Sequence, residues 1–419
     1  MAYIINGNKK IMGTVNINGS KNSALAIIVA SIIAKDVVIL ENIPKISDVY
    51  DLIEILEYLN CNVKYDGYTC IIDSTNIQYK NLKIPQIKKL RASYYFMGAF
   101  LALFNEIEIY KPGGCSFCNR PIDIHLNGFK KLNAEVIETE EFVKINALEK
   151  LKANKIKLPF PSVGATINLI LASTKIKGTT VLLNAAIEPE IIDLIEFLNS
   201  IGANIEMDKN KTIIIRGVEK YHKSKYKIIP DRIECGTYMI YGAALADKLT
   251  INNIITNQVR SLISIFVEMG VSMDIRKDSI TIYKSENLRP VKILTGPYPA
   301  FPTDLQQIIC SLLLKAKGES EIVDTIYLKR NTHIEELKKF NANVYIVNNS
   351  MFINHSDLLS GSVVESKDLR GGASLMLAAM MSHGTSIVNN SHFIERGYQD
   401  IVKTLVSLGA DIRKDNQYD

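Results

Sequence analysis

Amphipathic helices recur along the chain, and a similar four-residue motif follows each of them. Residues 48–59 (DVYDLIEILEYL) and 397–408 (GYQDIVKTLVSL) carry apolar residues at i, i+3, i+4 and i+7, which is typical of a helix with one buried face. A Gly or Asn follows each helix and ends it in a left-handed cap, and a strand is predicted next. This motif occurs six times, about 70 residues apart, which indicates a repeated supersecondary unit. The six copies are NCNV at 60, NAEV at 133, GANI at 202, GVSM at 270, NANV at 341 and GADI at 409.

Each repeat also contains a more apolar helix. Segments such as SALAIIVASIIA (23–34) and SYYFMGAFLALF (93–104) are apolar on nearly every side, so we expect these helices to be buried. The predicted unit is strand, buried helix, strand, surface helix, strand, which gives an α/β fold of βαβαβ type. Six such units divide into two domains of three, with a break near Pro230 in the segment YKIIPD.

Polar and charged residues concentrate just before the buried helices. A helix N-terminus offers free N–H groups and the positive end of the dipole, and so binds anions. Ser, Thr and Asp at this position are also ordinary caps, but capping does not account for Lys21 and Asn22 or for Arg in three other segments. If the helices are parallel within each domain, we expect their positive ends to face one cleft between the domains and to bind a strongly anionic ligand. The segments are GSKN (19–22), LRAS (90–93), PSVGAT (161–166), PDRIECGT (230–237), FPTDLQ (301–306) and LRGGAS (369–374).

Composition narrows the class of protein. The chain has 419 residues, 47% hydrophobic and 22% charged, which is enough for two or three domains with cores of their own. Its formal charge of +5 is small and the basic residues form no dense run, so nucleic-acid binding is not expected. The start, MAYIINGNKK, lacks the apolar core of a signal peptide, and the longest apolar run, residues 24–34, is too short to span a bilayer. We therefore expect a soluble, cytoplasmic protein without membrane contact.

Arginine is scarce in this lysine-rich chain. Of the 49 Lys and Arg residues, 11 are Arg. Because the guanidinium group is a planar, two-pronged donor suited to carboxylate and phosphate, an Arg in such a chain is a candidate anion contact. The arginines of interest are Arg91, Arg120, Arg232, Arg330, Arg370 and Arg396.

One cysteine lies in a segment that is rich in turn-forming residues. The six cysteines are scattered, which favours reduced thiols over a disulfide framework. Cys115 lies in PGGCSFCNRPIDIH (112–125), shortly before Arg120. Three interpretations of this thiol are open: a redox pair with Cys118, half of a metal site, or an unreactive surface thiol. No second CxxC and no His-x₃₋₅-His completes a zinc site, so no metal is expected.

Nine motifs that occur in order along the whole chain together resemble one family. They are GSKNSAL, LRASYYFMG, PGGCxxxxRPIDIH, PSVGAT, EPEIIDL, PDRIExGTY, PTDLQQ, DLRGGASL and ERGY. In this order they are similar to the UDP-N-acetylglucosamine 1-carboxyvinyltransferases, the enolpyruvyl transferases that open peptidoglycan synthesis. The Cys loop followed by Arg-Pro-x-Asp distinguishes that family from the shikimate enolpyruvyl transferases, which share its fold.

The resemblance implies a fold and a reaction. The fold would be an inside-out α/β barrel in two domains of three units each: residues 21–228 with the Cys115 loop, and residues 1–20 plus 229–419. The reaction would move the enolpyruvyl group of phosphoenolpyruvate to the 3-hydroxyl of UDP-N-acetylglucosamine by addition and elimination, with release of phosphate and without metal or cofactor. These two small molecules are the implied partners, and the oligomeric state is left open.

The resemblance also implies catalytic residues. Cys115 would donate a proton to the phosphoenolpyruvate methylene, on a glycine-rich loop that closes over the cleft. A thiol near cations and helix N-termini is expected to have a lowered pKa, which suits this role. Asp304 would accept the proton of the 3-hydroxyl, and Lys21 and Arg396 would complete the catalytic set.

Binding residues are implied at the positions that match the family motifs. Those for phosphoenolpyruvate are Lys21, Asn22, Arg120, Arg330, Arg370 and Arg396. Those for UDP-N-acetylglucosamine are Arg91, Arg120, Pro121, Ile122, Asp123, Ile124, Ser162, Val163, Gly164, Asp304 and Ile326. Glu188, Asp231 and Arg232 would be supporting charges near a hinge, where a purely structural ion-pair role is equally compatible with the sequence.

The sequence departs from the family pattern within the cysteine loop. Phe117, Cys118 and Asn119 replace small residues. Cys118 is either a bystander or a thiol that oxidises against Cys115 and stops the reaction. Two other functions are open: a shikimate-pathway transferase, and a catalytically weak paralogue that binds UDP-N-acetylglucosamine and regulates wall synthesis.

Overall fold

The computed structural model describes residues 1–111, 113, 121–147 and 149–415, which form two compact units. We call the described part of residues 19–229 the N-unit, and residues 1–18 with 230–415 the C-unit. Each unit is built around a hydrophobic core of its own.

The strands of the described residues are numbered in chain order. The first two belong to the C-unit: β1 (Ala2–Asn6) and β2 (Ile11–Asn16). The N-unit contains β3 (Val37–Glu41), β4 (Asn62–Tyr65), β5 (Cys70–Asp73), β6 (Glu106–Tyr110), β7 (Glu135–Glu138), β8 (Phe142–Asn146), β9 (Lys155–Lys157), β10 (Thr179–Leu183), β11 (Asn204–Met207), β12 (Ile213–Arg216) and β13 (Ser224–Lys227). The C-unit continues with β14 (Ala246–Asn252), β15 (Met273–Ile275), β16 (Ser279–Tyr283), β17 (Lys292–Leu294), β18 (Glu319–Val323), β19 (Val344–Val347), β20 (Ser350–Asn354), β21 (Val363–Glu365), β22 (Thr385–Asn389) and β23 (Asp411–Asp415).

The helices are divided between the two units. The N-unit contains α1 (Lys21–Ala30), α2 (Ser47–Tyr58), α3 (Pro85–Lys89), α4 (Tyr95–Phe104), α5 (Asp123–Lys131), α6 (Val163–Ser173) and α7 (Pro189–Ser200). The C-unit contains α8 (Arg232–Leu245), α9 (Arg260–Met269), α10 (Thr303–Leu313), α11 (Thr332–Lys338), α12 (Leu369–Met381), α13 (His392–Glu395) and α14 (Ile401–Ser407).

All six copies of the four-residue motif begin with a residue in the left-handed conformation. Their φ angles lie between 64° and 108°, as the predicted helix caps require: Asn60, Asn133, Gly202, Gly270, Asn341 and Gly409. The cap turns the chain out of the surface helix and into the next strand, so the local sequence is sufficient to end these helices.

The apolar helices are buried, as their sequences predict. In the N-unit α4 packs on α6, and in the C-unit α10 packs on both α8 and α12. The α4–α6 approach depends on Gly98, where a Cβ would lie 2.3 Å from the carbonyl oxygen of Asn168. Burying a Leu, Ile, Val, Phe or Met side chain stabilises the fold by about 1.5–3 kcal/mol, so these helices dominate the two cores.

The observed repeat has one strand more than the predicted unit. After the surface helix the chain forms an antiparallel pair of strands, for example β4 with β5 and β19 with β20. The strands before and after a buried helix pair in parallel, as in β9 with β10 and β17 with β18. The described residues form five four-stranded sheets and one three-stranded sheet, β6-β8-β7, where a parallel bridge between Leu82 and Ile109 takes the place of the missing strand.

Strands from distant parts of the chain complete three of these sheets. β1 lies between β22 and β23 and is antiparallel to both, so that Ile4 is opposite Ile387 and Arg413. β2 pairs in parallel with β14 in the C-unit, and β13 pairs in parallel with β3 in the N-unit. The N-terminal strands are therefore structural parts of the C-unit.

Candidate functional site

The first turns of α10 and α12 and the loop before α11 bring Asp304, Arg330 and Arg370 together. Asp304 lies in the first turn of α10, and Arg370 in the first turn of α12. Arg330 Nη1 lies 2.7 Å from Asp304 Oδ1, and Arg370 Nη2 lies 3.6 Å from Asp304 Oδ2. Both arginines are 4% exposed, whereas the Asp304 side chain is 29% exposed. The carboxylate is thus the accessible member of a buried charge cluster.

Neighbouring groups hold the Arg370 side chain in its charged form. Its guanidinium carbon lies 5.1 Å from the centre of the Tyr398 ring. Burial acts to lower the pKa of Arg370, but Tyr398, Asp304 and Asp231 together raise it above its ordinary value. Asp231 caps α8 by accepting hydrogen bonds from the N–H groups of Ile233 and Glu234, so the N-termini of α8, α10 and α12 contribute to one electrostatic cluster.

A buried carboxylate that the sequence analysis missed, Asp324, supports this cluster. It accepts hydrogen bonds from the Thr303 hydroxyl at 2.6 Å and the Thr295 hydroxyl at 2.8 Å. Its Oδ1 also accepts from the backbone N–H groups of Ile326 and Tyr327 at 2.9 and 3.0 Å. Asp324 therefore fixes both the residue before Asp304 and the turn that carries Ile326, a predicted sugar-nucleotide contact.

A second chain of hydrogen bonds orients Arg330. Its Nε donates to Gln307 Oε1 at 3.2 Å, and its Nη1 donates to the Thr303 hydroxyl at 3.2 Å. Gln307 Nε2 in turn donates to Asp368 Oδ2, while Asp368 Oδ1 accepts from the N–H groups of Arg370 and Gly371 at the start of α12. The guanidinium of Arg330 is thus held by groups of α10, and Gln307 links it to Asp368 at the start of α12.

The remaining predicted residues of the C-unit lie near this cluster in the chain or in space. Arg396 directly follows α13, and its neighbour Gly397 packs so closely on Leu369 that a Cβ would lie 2.5 Å from Leu369 Cδ2. Arg232 begins α8, and its guanidinium lies over the ring of Tyr298 at 5.6 Å.

Glu234, in the first turn of α8, is a buried acid with an unusual pKa. Its two carboxylate oxygens accept hydrogen bonds from the backbone N–H and the side-chain Nδ2 of Asn18 at 2.8 and 2.9 Å. Burial and the charge of Asp231 raise the pKa of Glu234 to about 8, against the lowering effects of Asn18 and Arg370.

In the N-unit, Lys21 begins α1 and forms an ion pair. Its Nζ lies 2.6 Å from Asp48 Oδ2, and the Asp48 side chain is buried at the start of α2. A lysine in the first turn opposes the helix dipole and is unfavourable unless an anion lies nearby. Asp48 is such an anion, supplied by the protein itself. Asn22 follows Lys21 and is partly buried.

Arg91, His125 and Gly164 lie around the Tyr94 side chain. The Arg91 guanidinium is 5.3 Å from the Tyr94 ring centre, and the rings of Tyr94 and His125 are 5.0 Å apart. A Cβ on Gly164 would lie 2.3 Å from Tyr94 Oη and 2.8 Å from His125 Nε2, so only glycine fits there. Burial, followed by the Arg91 charge, lowers the pKa of His125 to about 3, which keeps this ring neutral at physiological pH.

A groove beside this cluster exposes the start of α5. Asp123 and Ile124 line a cavity of about 570 Å³ together with Lys157 and Leu158. Pro121 precedes α5 and is exposed, whereas Ile122 is buried. At the start of α6, the Ser162 hydroxyl accepts a hydrogen bond from the Ala165 N–H, and Val163 is partly buried. Glu188 is buried just before α7.

Cys115, Cys118 and Arg120 lie outside the described residues. The described cysteines, Cys61, Cys70, Cys235 and Cys310, are buried free thiols. Burial raises the pKa of Cys61 and of Cys70 to about 12, so these thiols are poor nucleophiles.

Neither a metal-binding cluster nor a membrane-spanning helix occurs in the described ranges. They contain no group of three His, Cys, Asp or Glu side chains placed to hold a metal ion. No helix within these ranges is both long and apolar enough to cross a membrane.

Solved structures with the same fold are enolpyruvyl transferases. NikO from Streptomyces tendae superposes with a TM-score of 0.90 at 24% identity over 98% of both chains. EPSP synthase from Acinetobacter baumannii gives a TM-score of 0.77 at 15% identity over 99% of both chains. At these identities the likeness concerns the fold, and it confirms the predicted two-domain α/β architecture.

Sequence relatives identify the family. Residues 5–405 match the family model for EPSP synthase (3-phosphoshikimate 1-carboxyvinyltransferase). The chain is 43% identical to UDP-N-acetylglucosamine 1-carboxyvinyltransferase 2 of Lactococcus lactis, over 98% of both chains. It is 45% identical to the protein of the same name from Listeria monocytogenes, over 98% of this chain and 97% of the relative. The chain therefore belongs to the EPSP synthase family of enolpyruvyl transferases and, within it, to the UDP-N-acetylglucosamine 1-carboxyvinyltransferases.

Proposed function

We propose that this protein transfers the enolpyruvyl group of phosphoenolpyruvate to the 3-hydroxyl of UDP-N-acetylglucosamine, releasing phosphate, in the first committed step of peptidoglycan synthesis. The observation that carries the proposal is the accessible Asp304 carboxylate between the buried guanidinium groups of Arg330 and Arg370. The carboxylate can accept the proton of an attacking alcohol, and the two fixed cations beside it can bind an anionic enol phosphate. We further propose that the enzyme acts in the cytoplasm.

The reaction is proposed to proceed by addition and elimination. Asp304 takes the proton of the 3-hydroxyl as the hydroxyl oxygen bonds to C2 of phosphoenolpyruvate, while Cys115 gives a proton to C3. The tetrahedral intermediate then loses phosphate as the bond from C2 to the phosphate oxygen breaks. The Cys115 thiolate takes a proton back from C3, which restores the double bond, and Asp304 passes its proton to the departing phosphate. Atoms and charge balance without a further reactant.

We assign the anionic groups of phosphoenolpyruvate to five basic residues and one asparagine. Arg330 is already oriented by Gln307, and Arg370 by Tyr398, so little ordering is needed when the anion binds. The full set is Lys21, Asn22, Arg120, Arg330, Arg370 and Arg396.

We assign the nucleoside part of the sugar nucleotide to the N-unit groove. The groove is large enough for a nucleoside ring, since small-molecule sites usually occupy about 300–1,000 Å³. The small residues at the start of α6 let its N–H groups approach a diphosphate. The assigned residues are Arg91, Arg120, Pro121, Ile122, Asp123, Ile124, Ser162, Val163, Gly164, Asp304 and Ile326.

A phosphate-release assay tests the proposal directly. Purified protein is mixed with UDP-N-acetylglucosamine and phosphoenolpyruvate, and we expect phosphate release that depends on both substrates. An Asp304→Asn variant should lose about 100-fold or more in kcat, the usual contribution of a general base. Its KM for phosphoenolpyruvate should not rise, because the substitution removes a negative charge beside two arginines. Asp278→Asn, at an exposed position of the same unit, is the matched control.

Three outcomes would contradict the proposal. Phosphate release with shikimate 3-phosphate as the acceptor would favour a shikimate-pathway transferase. Tight binding of the sugar nucleotide without turnover would favour a regulatory paralogue. Full activity of Asp304→Asn would remove Asp304 from the catalytic set.

A further inference from the structure

A cavity lined by lysines lies in the C-unit where three buried helices end. The last residues of α8 and α12, Leu245 and Met381, line a cavity of about 210 Å³ together with Leu314 and Lys315, which follow α10. The candidate site lies around the opposite ends of the same helices, since Asp304 and Arg370 are in their first turns. The cavity is therefore separate from that site.

The charged side chains around this cavity are mostly basic. Lys9, Lys10 and Lys315 line it together with His355 and His383. Asp357 is the one acidic residue among the described lining residues, and its Oδ1 lies 2.9 Å from His355 Nε2. The carboxylate is thus already engaged by an imidazole, and the described lining residues contain no further acid for the three lysines.

Stabilisation of the helix ends does not require so much positive charge. Each helix C-terminus carries roughly half a negative elementary charge, so three ends amount to about 1.5 charges. Lys315 donates a hydrogen bond to the carbonyl oxygen of Ala244 in the last turn of α8, and so serves this purpose directly. Lys9 and Lys10 add further positive charge from the turn between β1 and β2.

The cations around Lys315 repel one another. Lys315 is partly buried, and burial, followed by the charges of Lys10 and Lys284, lowers its pKa. Lys284 has its own partner, Glu286, at 2.6 Å, and Glu286 also attracts Lys10. An anion inside the cavity would relieve the remaining repulsion, and a partly desolvated site strengthens such an interaction.

We propose that this cavity binds a compact phosphate dianion, either inorganic phosphate or the phosphate group of a small monoester. Its side chains supply N–H donors, from the lysines and from Asn8, which suit phosphate oxygens. The volume equals roughly seven water molecules at about 30 Å³ each, which is sufficient for phosphate with a small substituent. It lies below the range of about 300–1,000 Å³ typical of sites for larger ligands such as nucleotides.

The test locates phosphate binding by hydrogen–deuterium exchange of the full chain. Inorganic phosphate should slow backbone exchange in peptides that cover residues 8–10, 314–317 and 355–359. Peptides that cover residues 303–306 and 369–371 report on the candidate catalytic site separately. The binding proposed here does not depend on the proposed enzymatic function, so either proposal can fail alone.

Three variants sharpen the test. Lys315→Gln should raise the Kd for phosphate at the cavity about tenfold or more, because it removes a charge-assisted hydrogen bond. Lys10→Gln, in an exposed turn, should weaken binding in the same direction and guards against misfolding of the first variant. Lys317→Gln is the matched control, since Lys317 is exposed, hydrogen-bonded to Asn287 and absent from the cavity lining.

Two results would overturn the proposal. One is unchanged exchange in the cavity peptides of the wild-type chain at millimolar phosphate. The other is equal protection by phosphate in Lys315→Gln, Lys10→Gln and wild-type proteins. A second arm with glycerol 3-phosphate distinguishes the two sources of the dianion: tighter binding than inorganic phosphate would assign the site to a monoester, and weaker binding to the free ion.

Discussion

Replacing Glu234 by glutamine should flatten the pH dependence of the stability of the C-unit. Glu234 is fully buried in the first turn of α8, and its pKa is about 8 instead of the ordinary 4.5, chiefly because of burial and of Asp231. A group with a raised pKa in the folded state stabilises the fold below its unfolded pKa. That contribution declines as the pH rises from 4.5 and is lost above about 8.

The magnitude follows from the two pKa values. The difference between 8 and 4.5 corresponds to about 5 kcal/mol at about 1.4 kcal/mol per pH unit. This is a large fraction of the 5–15 kcal/mol by which domains are usually stable. The glutamine side chain is neutral, so the variant has no such contribution. Its amide can still accept from the Asn18 N–H and donate to a reoriented Asn18 side chain, which keeps the pH-independent penalty small.

The assay is urea denaturation of wild-type and Glu234→Gln proteins between pH 4.5 and 9, followed by circular dichroism. The free energy of unfolding of the variant minus that of the wild type should increase across this range by several kcal/mol. Other titrating groups cancel in this difference. Glu268→Gln, at an exposed position of α9, should show a flat difference. A flat difference for Glu234→Gln as well would refute the reasoning.

Three further predictions concern the site. Asp324→Asn should lower kcat/KM at least about tenfold in steady-state kinetics, because the loss of hydrogen bonds to a charged acceptor costs about 1.5–3 kcal/mol. Asp324→Glu should restore part of the activity, and unchanged kinetics of Asp324→Asn would contradict the prediction. Gly164→Ala should destabilise the N-unit by about 1–3 kcal/mol, because its Cβ would lie 2.3 Å from Tyr94 Oη; thermal denaturation measures this, and an unchanged Tm would show that Tyr94 moves aside without cost. Fosfomycin, an epoxide that alkylates the cysteine of this family, should inactivate the enzyme and modify Cys115, as mass spectrometry of peptides would show; a free, reactive Cys115 after treatment would count against its assigned role.

The architecture was largely predictable because it depends on local signals that repeat. The six caps, from Asn60 to Gly409, adopt the left-handed conformation that their residue types favour. Segments without a polar face, such as α4 and α6, had to be buried, and they are. The hairpin after each surface helix was missed, since its second strand is short and carries little alternation: residues 70–73 in the first repeat are CIID.

The residues that support the site were not predictable in the same way. Asp324 and Asp48 belong to none of the nine motifs, and the role of each side chain depends on hydrogen-bond or ion-pair partners elsewhere in the chain. Asp324 accepts hydrogen bonds from Thr303 at the start of α10 and from Thr295 just after β17. Asp48 in α2 forms an ion pair with Lys21 in α1. An acidic residue in the first turn of a helix, as at Asp48, was the available signal, but the same signal marks an ordinary favourable charge.

The sequence by itself determined where the helices begin and end, which of them are buried, and which family the residue pattern resembles. These properties depend on periodicity, on caps and on residue type, all of which act over a few neighbouring residues. Only the tertiary structure decided that β1 lies between β22 and β23, and that Asp304 stands between Arg330 and Arg370. The physical reason is that strand pairing and ion pairs at long range depend on the packing of whole helices and sheets, which no single segment encodes.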